Sequence, residues 1–332
     1  MPSLLERFRT ELPPRDLLRM TMPHRAARML ASYGLHLHRR TGAIDLDARD
    51  PALVAAILDV ARFFGQYWFR SEVEGVEHVP EHGPALLVGN HNGGFLVTDT
   101  YLTMAAIAER QGIARVVRPL AHDFVFDDPT LRMHAQRFGA IRAGQEVARC
   151  ALERGDLVLV YPGGDLDTFR PFWRRNEIEL GPRLGFVRLA LRAQVPIVPV
   201  VSAGTHEQFI VLSRGDRLAR LLLMHRWART EVFPIAFSLP WGITSAFLPY
   251  IPLPAQTTVA FGAPLRWPKL GPEAANDDEV VRACRDQVRA AMQRLLDGIT
   301  LGRVPFLGRL RQGRTGTTGA RATTDEHPDH SA

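Results

Sequence analysis

The residues best suited to chemistry follow the apolar run Ala85-Leu-Leu-Val-Gly-Asn90 and read His91-Asn-Gly-Gly-Phe-Leu-Val-Thr-Asp99. A histidine at the end of a buried strand, beside a Gly-Gly turn and before a helix, sits where α/β folds place active sites. Imidazole titrates near neutrality, so it can take a proton from a hydroxyl. A carboxylate on its other ring nitrogen would fix the tautomer and stabilise the imidazolium, and Asp99 is the nearest acid downstream. Eight residues of continuous helix rise about 12 Å, too far for a side-chain hydrogen bond. The pair therefore needs Gly93-Gly94 to turn the chain back. The competing reading is a hydrogen-bonded loop histidine, with Asp99 as a first-turn acid favourable to the helix dipole.

Two further groups have chemical potential. Gly163-Gly164, within Val160-Tyr-Pro-Gly-Gly-Asp165, can bring backbone N–H groups to a developing oxyanion, although a plain tight turn explains them equally. Arg170, Arg174 and Arg175 offer an anion site, or else a loop paired with Glu177 and Glu179. His36, His38 and His206 beside Glu207 have no convincing ligand partners, and no metal site is expected. The Gly-x-Ser-x-Gly elbow of the usual α/β-hydrolase route is missing.

The elements that must position these groups follow from periodicity. Strands are expected at Ala85–Val88, Ala114–Val117, Leu157–Tyr161, Val195–Val200 and Thr257–Phe261. Helices are expected at 96–110, 143–154, 183–193 and 277–297, the last with Val280, Val281, Cys284, Val288, Ala291, Met292 and Leu295 on one face. A further helix opens at Asp50-Pro51, an N-cap followed by the first helical position. Short strands separated by helices of this length point to an α/β architecture with a mixed, largely parallel central sheet flanked by helices.

The chain has 332 residues, 46% of them hydrophobic and 23% charged, which excludes wholesale disorder. Its two cysteines, Cys150 and Cys284, exclude a disulfide scaffold and suit a reducing cytoplasm. Net charge is +6, of which residues 1–40 carry +5 through eight arginines against Glu6, Glu11 and Asp16. A nucleic-acid binder would spread its basic residues over the folded body, so no nucleic-acid partner is expected. Segment 1–45 reads instead as a basic amphipathic arm, suited to an anionic lipid surface or packed along the domain. Glu6, Arg7, Arg9 and Glu11 interrupt any signal-peptide core.

The helix after Pro51 ends in Phe63, Phe64, Tyr67, Trp68 and Phe69. The cluster reads as core, the alternative being a helix end at a lipid headgroup boundary. Residues 232–265 hold no Asp, Glu, Lys or Arg, yet Pro234, Pro240, Pro249, Pro252 and Pro254 break any helix long enough to span a bilayer. That stretch is expected to lie on a bilayer or to form an apolar wall inside the domain. Residues 301–332, polar from Arg303 onward, are expected to be a disordered tail.

Asn90-His91 followed by an Asp resembles the opening motif of the glycerolipid acyltransferases, the family of lysophosphatidic acid and glycerol-3-phosphate acyltransferases. Most of that family separates His and Asp by four residues. The longer spacing here resembles the branch of diacylglycerol acyltransferase type 2-like and phytyl ester synthase-like enzymes. Phe138-Gly-Ala-Ile-Arg142 resembles the second family block, where a Gly and a following Arg line the acceptor pocket. Tyr161-Pro162-Gly163-Gly164-Asp165 resembles the third, usually Phe-Pro-Glu-Gly-Thr-Arg, with Gly163 in place of the Glu and no Arg at its usual position. Val195-Pro-Ile-Val-Pro-Val200 resembles the fourth, and the likeness covers roughly residues 72–266.

The resemblance implies an O-acyltransferase domain over 46–300, with acyl-CoA or acyl carrier protein as co-substrate donor and no cofactor. It implies His91 as general base oriented by Asp99. Asn90, Gly93, Gly94, Arg142, Pro162, Gly163, Gly164, Asp165 and Arg170 would stand at the substrates. Amides near Gly93 or Gly164 would meet the oxyanion. It further implies work on a membrane lipid surface, peripherally on the cytoplasmic face of the cell membrane. Loss of the third-block arginine, thought to meet an acceptor phosphate in glycerophosphate-using members, implies a less charged acceptor. The alternatives are a lipid esterase or thioesterase, and a non-catalytic lipid-binding or tethering protein with the same fold. Oligomeric state is not legible.

Overall fold

A computed structural model describes residues 46–91, 94–122, 125–126, 128–224, 232–246, 248 and 250–309. The basic segment 1–45, residues 310–332 and Gly93 lie outside the described residues. Helix α1 (Pro51–Tyr67) opens as the sequence suggests, the Asp50 side chain accepting from the amides of Ala52 at 3.0 Å and Leu53 at 3.2 Å. That satisfies two N–H groups no helical carbonyl reaches. The chain continues through β1 (Glu72–Glu74), β2 (Ala85–Gly89), α2 (Thr98–Gln111), β3 (Arg118–Ala121), α3 (Pro129–Phe138), β4 (Ile141–Arg142), α4 (Gln145–Glu153) and β5 (Leu157–Val160). Next come the short α5 (Gly164–Thr168), α6 (Gly185–Ala193), β6 (Ile197–Ala203), α7 (Thr205–Gln208), β7 (Ile210–Ser213) and α8 (Asp216–Leu221). The last elements are β8 (Ile235–Ser238), β9 (Gly242–Ser245), β10 (Thr258–Phe261), α9 (Asp278–Thr300), β11 (Arg303–Val304) and β12 (Gly308–Arg309).

The main sheet has strand order β1-β10-β6-β2-β5-β3-β4. Strands β6, β2, β5, β3 and β4 are parallel, while β10 runs antiparallel to β6 and carries β1 parallel to itself. The architecture is therefore mixed α/β with a largely parallel central sheet. Side chains alternate across a strand, so β2 is buried on both faces. Leu86 and Val88 join a core with α4, α6 and α9, where Val281, Cys284, Val288 and Met292 form the buried stripe. Ala85 and Leu87 join the opposite core with α1 and α2. A separate antiparallel sheet, β7-β8-β9, packs a smaller core of Phe169, Phe209, Val211, Val232, Ala236 and Ala246.

Four expectations change. The strand expected at Ala114–Val117 begins instead at Arg118; Ile113–Arg115 is a 3-10 turn. A charge enters the ladder because Arg118 Nε donates to Asp156 Oδ2 at 2.6 Å. The opening of the expected tail is ordered: β11 and β12 pair antiparallel, and the Arg303 guanidinium bonds Glu207 and the Gln256 carbonyl. A buried carboxylate thus holds residues whose composition reads as unfolded. Of the aromatic cluster at the end of α1 only Phe69 is core, while Phe63, Phe64, Tyr67 and Trp68 are exposed. The charge-free stretch divides: β10 is buried in the main sheet and β8 and β9 build the small one, while Trp241, Ile243 and Ile251 are exposed. Among the described residues no helix is long and apolar enough to cross a membrane.

Candidate active site

The site lies at the C-terminal edge of the parallel strands. Asn90, directly after β2, is buried and clamps β6: its Nδ2 donates to Ser202 O at 3.1 Å, and its Oδ1 accepts from Ser202 N at 2.8 Å. Asn90 is thus a strand clamp rather than a group presented to substrate. His91 follows, its Nδ1 3.0 Å from Asp99 Oδ2. The intervening chain is not continuous helix. Gly94 has φ +63, residues 94–96 form a 3-10 turn, and Val97 has φ +42 before α2 starts at Thr98. Two left-handed residues thus return Asp99 to the imidazole, and Nε2 becomes the ring atom available for an acceptor proton. Gly94 is also sterically required, since a Cβ there would stand 2.8 Å from the Tyr250 hydroxyl.

Three groups that sequence reasoning missed complete the histidine's surroundings. Tyr161 stacks on the His91 ring with centroids 4.4 Å apart and planes at 19°. Thr100 Oγ1 lies 3.3 Å from Asp99 Oδ1 and 3.0 Å from Tyr161 Oη. An ionised carboxylate only accepts, so the Thr100 hydroxyl donates to Asp99 and accepts from Tyr161. The His91 amide donates to Asp167 Oδ2 at 2.5 Å. The register Val88↔Val160 between β2 and β5 would have located Tyr161, because the residues just past both strand ends must then be neighbours.

Charge in this cluster is tightly managed. Burial opposes the protonated form of His91, but the Asp99 carboxylate and its hydrogen bond, with help from Asp167, hold the pKa above the usual 6.5. Burial pushes Asp167 up to about 6, against the pull of Arg170 and the His91 hydrogen bond. His206 on α7 is also buried, and burial together with the charges of Arg170, His91 and Arg175 keeps its pKa well below 6.5. It is neutral near physiological pH, and its Nε2 has no hydrogen-bond partner among the described residues.

The remaining residues singled out in the sequence divide. Asp165 Oδ1 accepts from the Leu166 amide at 3.1 Å and lies 3.5 Å from Arg183 Nη2. Asp167, two residues on, takes the place near His91. The Gly164 amide donates to Tyr161 O at 3.2 Å, so the turn consumes it and it is not an oxyanion donor. Pro162 contributes its carbonyl to Arg183 Nη1 at 2.8 Å. At Gly163 a Cβ would stand 2.1 Å from Glu179 O and 2.3 Å from Asp167 Cβ. A glutamate, which the resembling family has here, therefore has no room on this backbone.

The expected anion site is also corrected. Arg170 is fully buried in an ion pair with Asp167, and its Nη2 donates to Arg175 O at 3.3 Å. Arg174 pairs with Glu177, and Arg175 lies over the Phe172 ring at 4.3 Å and 3.5 Å from Glu207. Arg142 ends β4, on the same sheet edge as His91 but three strand spacings away, about 14 Å. It stands over the Phe126 ring at 5.6 Å.

The geometry provides a buried-edge imidazole with an orienting carboxylate, an arrangement that abstracts protons from hydroxyls. Comparison with known proteins bears on which reaction it serves. The family model "Acyltransferase" matches residues 70–203. An uncharacterized protein of Mycobacterium tuberculosis is 34% identical over 297 residues, covering 89% of this chain and 78% of that protein. The human "DGAT1/2-independent enzyme synthesizing storage lipids" is 36% identical over 155 residues, covering 47% of this chain and 46% of that protein. The crystal structure of the 1-acyl-sn-glycerophosphate (LPA) acyltransferase PlsC from Thermotoga maritima is similar at a TM-score of 0.46 and 15% identity, covering 88% of this chain and 95% of that one.

Proposed function

The chain belongs to the glycerolipid acyltransferase family, and we propose that it moves a fatty acyl group from acyl-CoA or acyl carrier protein to the hydroxyl of an uncharged lipid acceptor. The single observation that carries this reading is His91 Nδ1 at 3.0 Å from Asp99 Oδ2, with the ring stacked on Tyr161. His91 Nε2 takes the acceptor's hydroxyl proton as the oxygen attacks the thioester carbonyl. The tetrahedral intermediate expels the thiolate, which recovers that proton from the imidazolium. Asp99 stabilises the imidazolium without becoming protonated. No acyl-enzyme is needed because the thioester is already activated. The enzyme would act peripherally, on the cytoplasmic face of the cell membrane.

Two features favour an uncharged acceptor such as a diacylglycerol or a fatty alcohol. Arg170, a candidate for meeting an acceptor phosphate, is fully buried against Asp167. The human relative is, by its name, an enzyme that synthesizes storage lipids. Incubation of the purified protein with labelled acyl-CoA and a panel of glycerolipids and alcohols tests the reading. The expected product is a new ester with uncharged acceptors. Labelled free fatty acid alone would replace the reading with a thioesterase, and preference for a phosphate-bearing acceptor would overturn the acceptor class.

A further inference from the structure

The C-terminal end of α1 leaves four aromatic side chains in the open. Phe63, Phe64, Tyr67 and Trp68 are 49%, 46%, 66% and 38% exposed. Phe63 contacts both Phe64 and Tyr67, with ring centroids 5.6 and 5.0 Å apart. Trp68 Nε1 donates to Pro252 O at 2.9 Å, which joins this helix end to the segment before β10. Beside it Ile251 bridges antiparallel to Leu239, and the turn from Leu239 into β9 carries Trp241 and Ile243. Ile251, Leu239, Trp241 and Ile243 are 55%, 40%, 53% and 70% exposed. One apolar face therefore runs from α1 to the β8–β9 hairpin.

This face borders the catalytic loop. Tyr250, next to Ile251, accepts from the Leu96 amide at 3.3 Å, and Leu96 is itself exposed. Contiguous apolar surface of this kind marks an interaction site. Its chemistry selects the partner. Trp and Tyr carry a polar tip on an apolar body, and Arg extends its head from an apolar stem, the combination that sits at headgroup depth. The charges nearest in sequence, Asp59, Arg62, Arg70 and Glu72, sum to zero; residues 232–265 add none, and residues 1–40, which precede α1 in the chain, carry +5. An apolar face on a chain whose net positive charge is concentrated in the segment preceding it in sequence matches an anionic bilayer.

We propose that this face seats on a phospholipid bilayer containing anionic lipid and holds the mouth of the His91 site at headgroup level. The inference rests on the reading of that site as one for a lipid acceptor, and it names the surface by which the acceptor is reached. The test uses the full chain with phosphatidylcholine vesicles, with and without phosphatidylglycerol. Wild type should float with the vesicles, more strongly with phosphatidylglycerol. The double variants F63S/Y67S and W241S/I243S should each lower the partition coefficient about tenfold or more. Each should raise KM for a vesicle-embedded acceptor by a similar factor and leave turnover of a detergent-dispersed acceptor unchanged. Unaltered melting curves would show that both variants fold.

Equal partition of wild type and variants, or no binding by wild type, would overturn the proposal. So would a concentration-dependent dimer that the variants dissociate, because the face would then meet a second copy. Equal binding to both vesicle types would remove the anionic component. The His91→Ala variant should bind as wild type does. Face-dependent binding by a wild-type protein that transfers no acyl group in detergent would sink the proposed function while leaving the docking face standing.

Discussion

Asp99 Oδ2 and His91 Nδ1 meet at 3.0 Å although eight residues separate them. The approach depends on Gly94 at φ +63 and Val97 at φ +42. The second is a β-branched residue in the left-handed region, a strain of order 1–3 kcal/mol that the surrounding packing must sustain. Strain held at this place is consistent with an arrangement kept for chemistry rather than stability. His91→Ala should lower acyl transfer by about 10²–10⁴-fold, the usual contribution of a positioned base. Asp99→Asn should lower kcat by about tenfold or more with little change in KM, because it disturbs the base and not the binding of substrates. Steady-state rates on a soluble acceptor check both, and an Asp99→Asn enzyme at full rate would show that another group holds the ring.

The same pair sets a pH dependence. A general base works unprotonated, and the folded pKa of His91 lies above 6.5. The acid limb of kcat/KM should therefore fall above pH 6.5, and Asp99→Asn should move it to lower pH by removing the charge that favours imidazolium. Stability runs the other way. A histidine whose folded pKa is raised stabilises the fold fully below its unfolded value, and that contribution is lost as pH rises through the folded pKa. Activity should thus rise across the window in which this increment of stability fades. A pH–rate profile with its acid limb at or below 6.5 would contradict the charged partner.

Asp167 and Arg170 form a buried pair beneath the His91 backbone. Removing one member of such a pair costs about 3–5 kcal/mol because the other is left uncompensated. Arg170→Met should cost that much near neutral pH and less in acid. The folded pKa of Asp167, already about 6 with its partner present, lies above the unfolded value and rises further without the arginine. The folded state then binds more protons than the unfolded one, so stability falls as pH rises from the unfolded pKa through the folded one. Denaturant titrations at two pH values check this. A purely catalytic loss with unchanged stability would return Arg170 to the role of anion ligand.

Much of the site was legible because its signals are local. Asp50-Pro51 caps a helix by its own side chain, and the apolar run before His91 is one strand. The groups that escaped notice depend on pairings distant in sequence. Asp167 reaches an amide 76 residues away, and Tyr161 meets His91 only because β5 lies beside β2. Arg118 and Arg303 misled for one shared reason. Each is a charge inside an ordered, buried setting, made tolerable by Asp156 and Glu207, which hydropathy alone does not reveal. The exposed aromatics at the end of α1 have the composition of a core and the surroundings of a surface.

Gly89 offers the most discriminating test of how the ring stack contributes. A Cβ at this position would stand 2.5 Å from Tyr161 Cε1, inside the ring that packs on His91. Tyr161 has little freedom to move aside, since its hydroxyl is 3.0 Å from Thr100 Oγ1. Gly89→Ala should therefore cost about 1–3 kcal/mol as an overpacked site, and kcat should fall because the displaced ring carries both His91 and the Thr100–Asp99 linkage with it. Tyr161→Leu in the Gly89→Ala background relieves the overlap, so stability should recover while the rate does not. Tyr161→Phe alone keeps the stack and loses one hydrogen bond, about 1 kcal/mol, with little change in rate. Denaturant midpoints and initial rates on the three variants separate packing from catalysis. A Gly89→Ala/Tyr161→Leu enzyme that regained both would mean that the stack supports the fold alone.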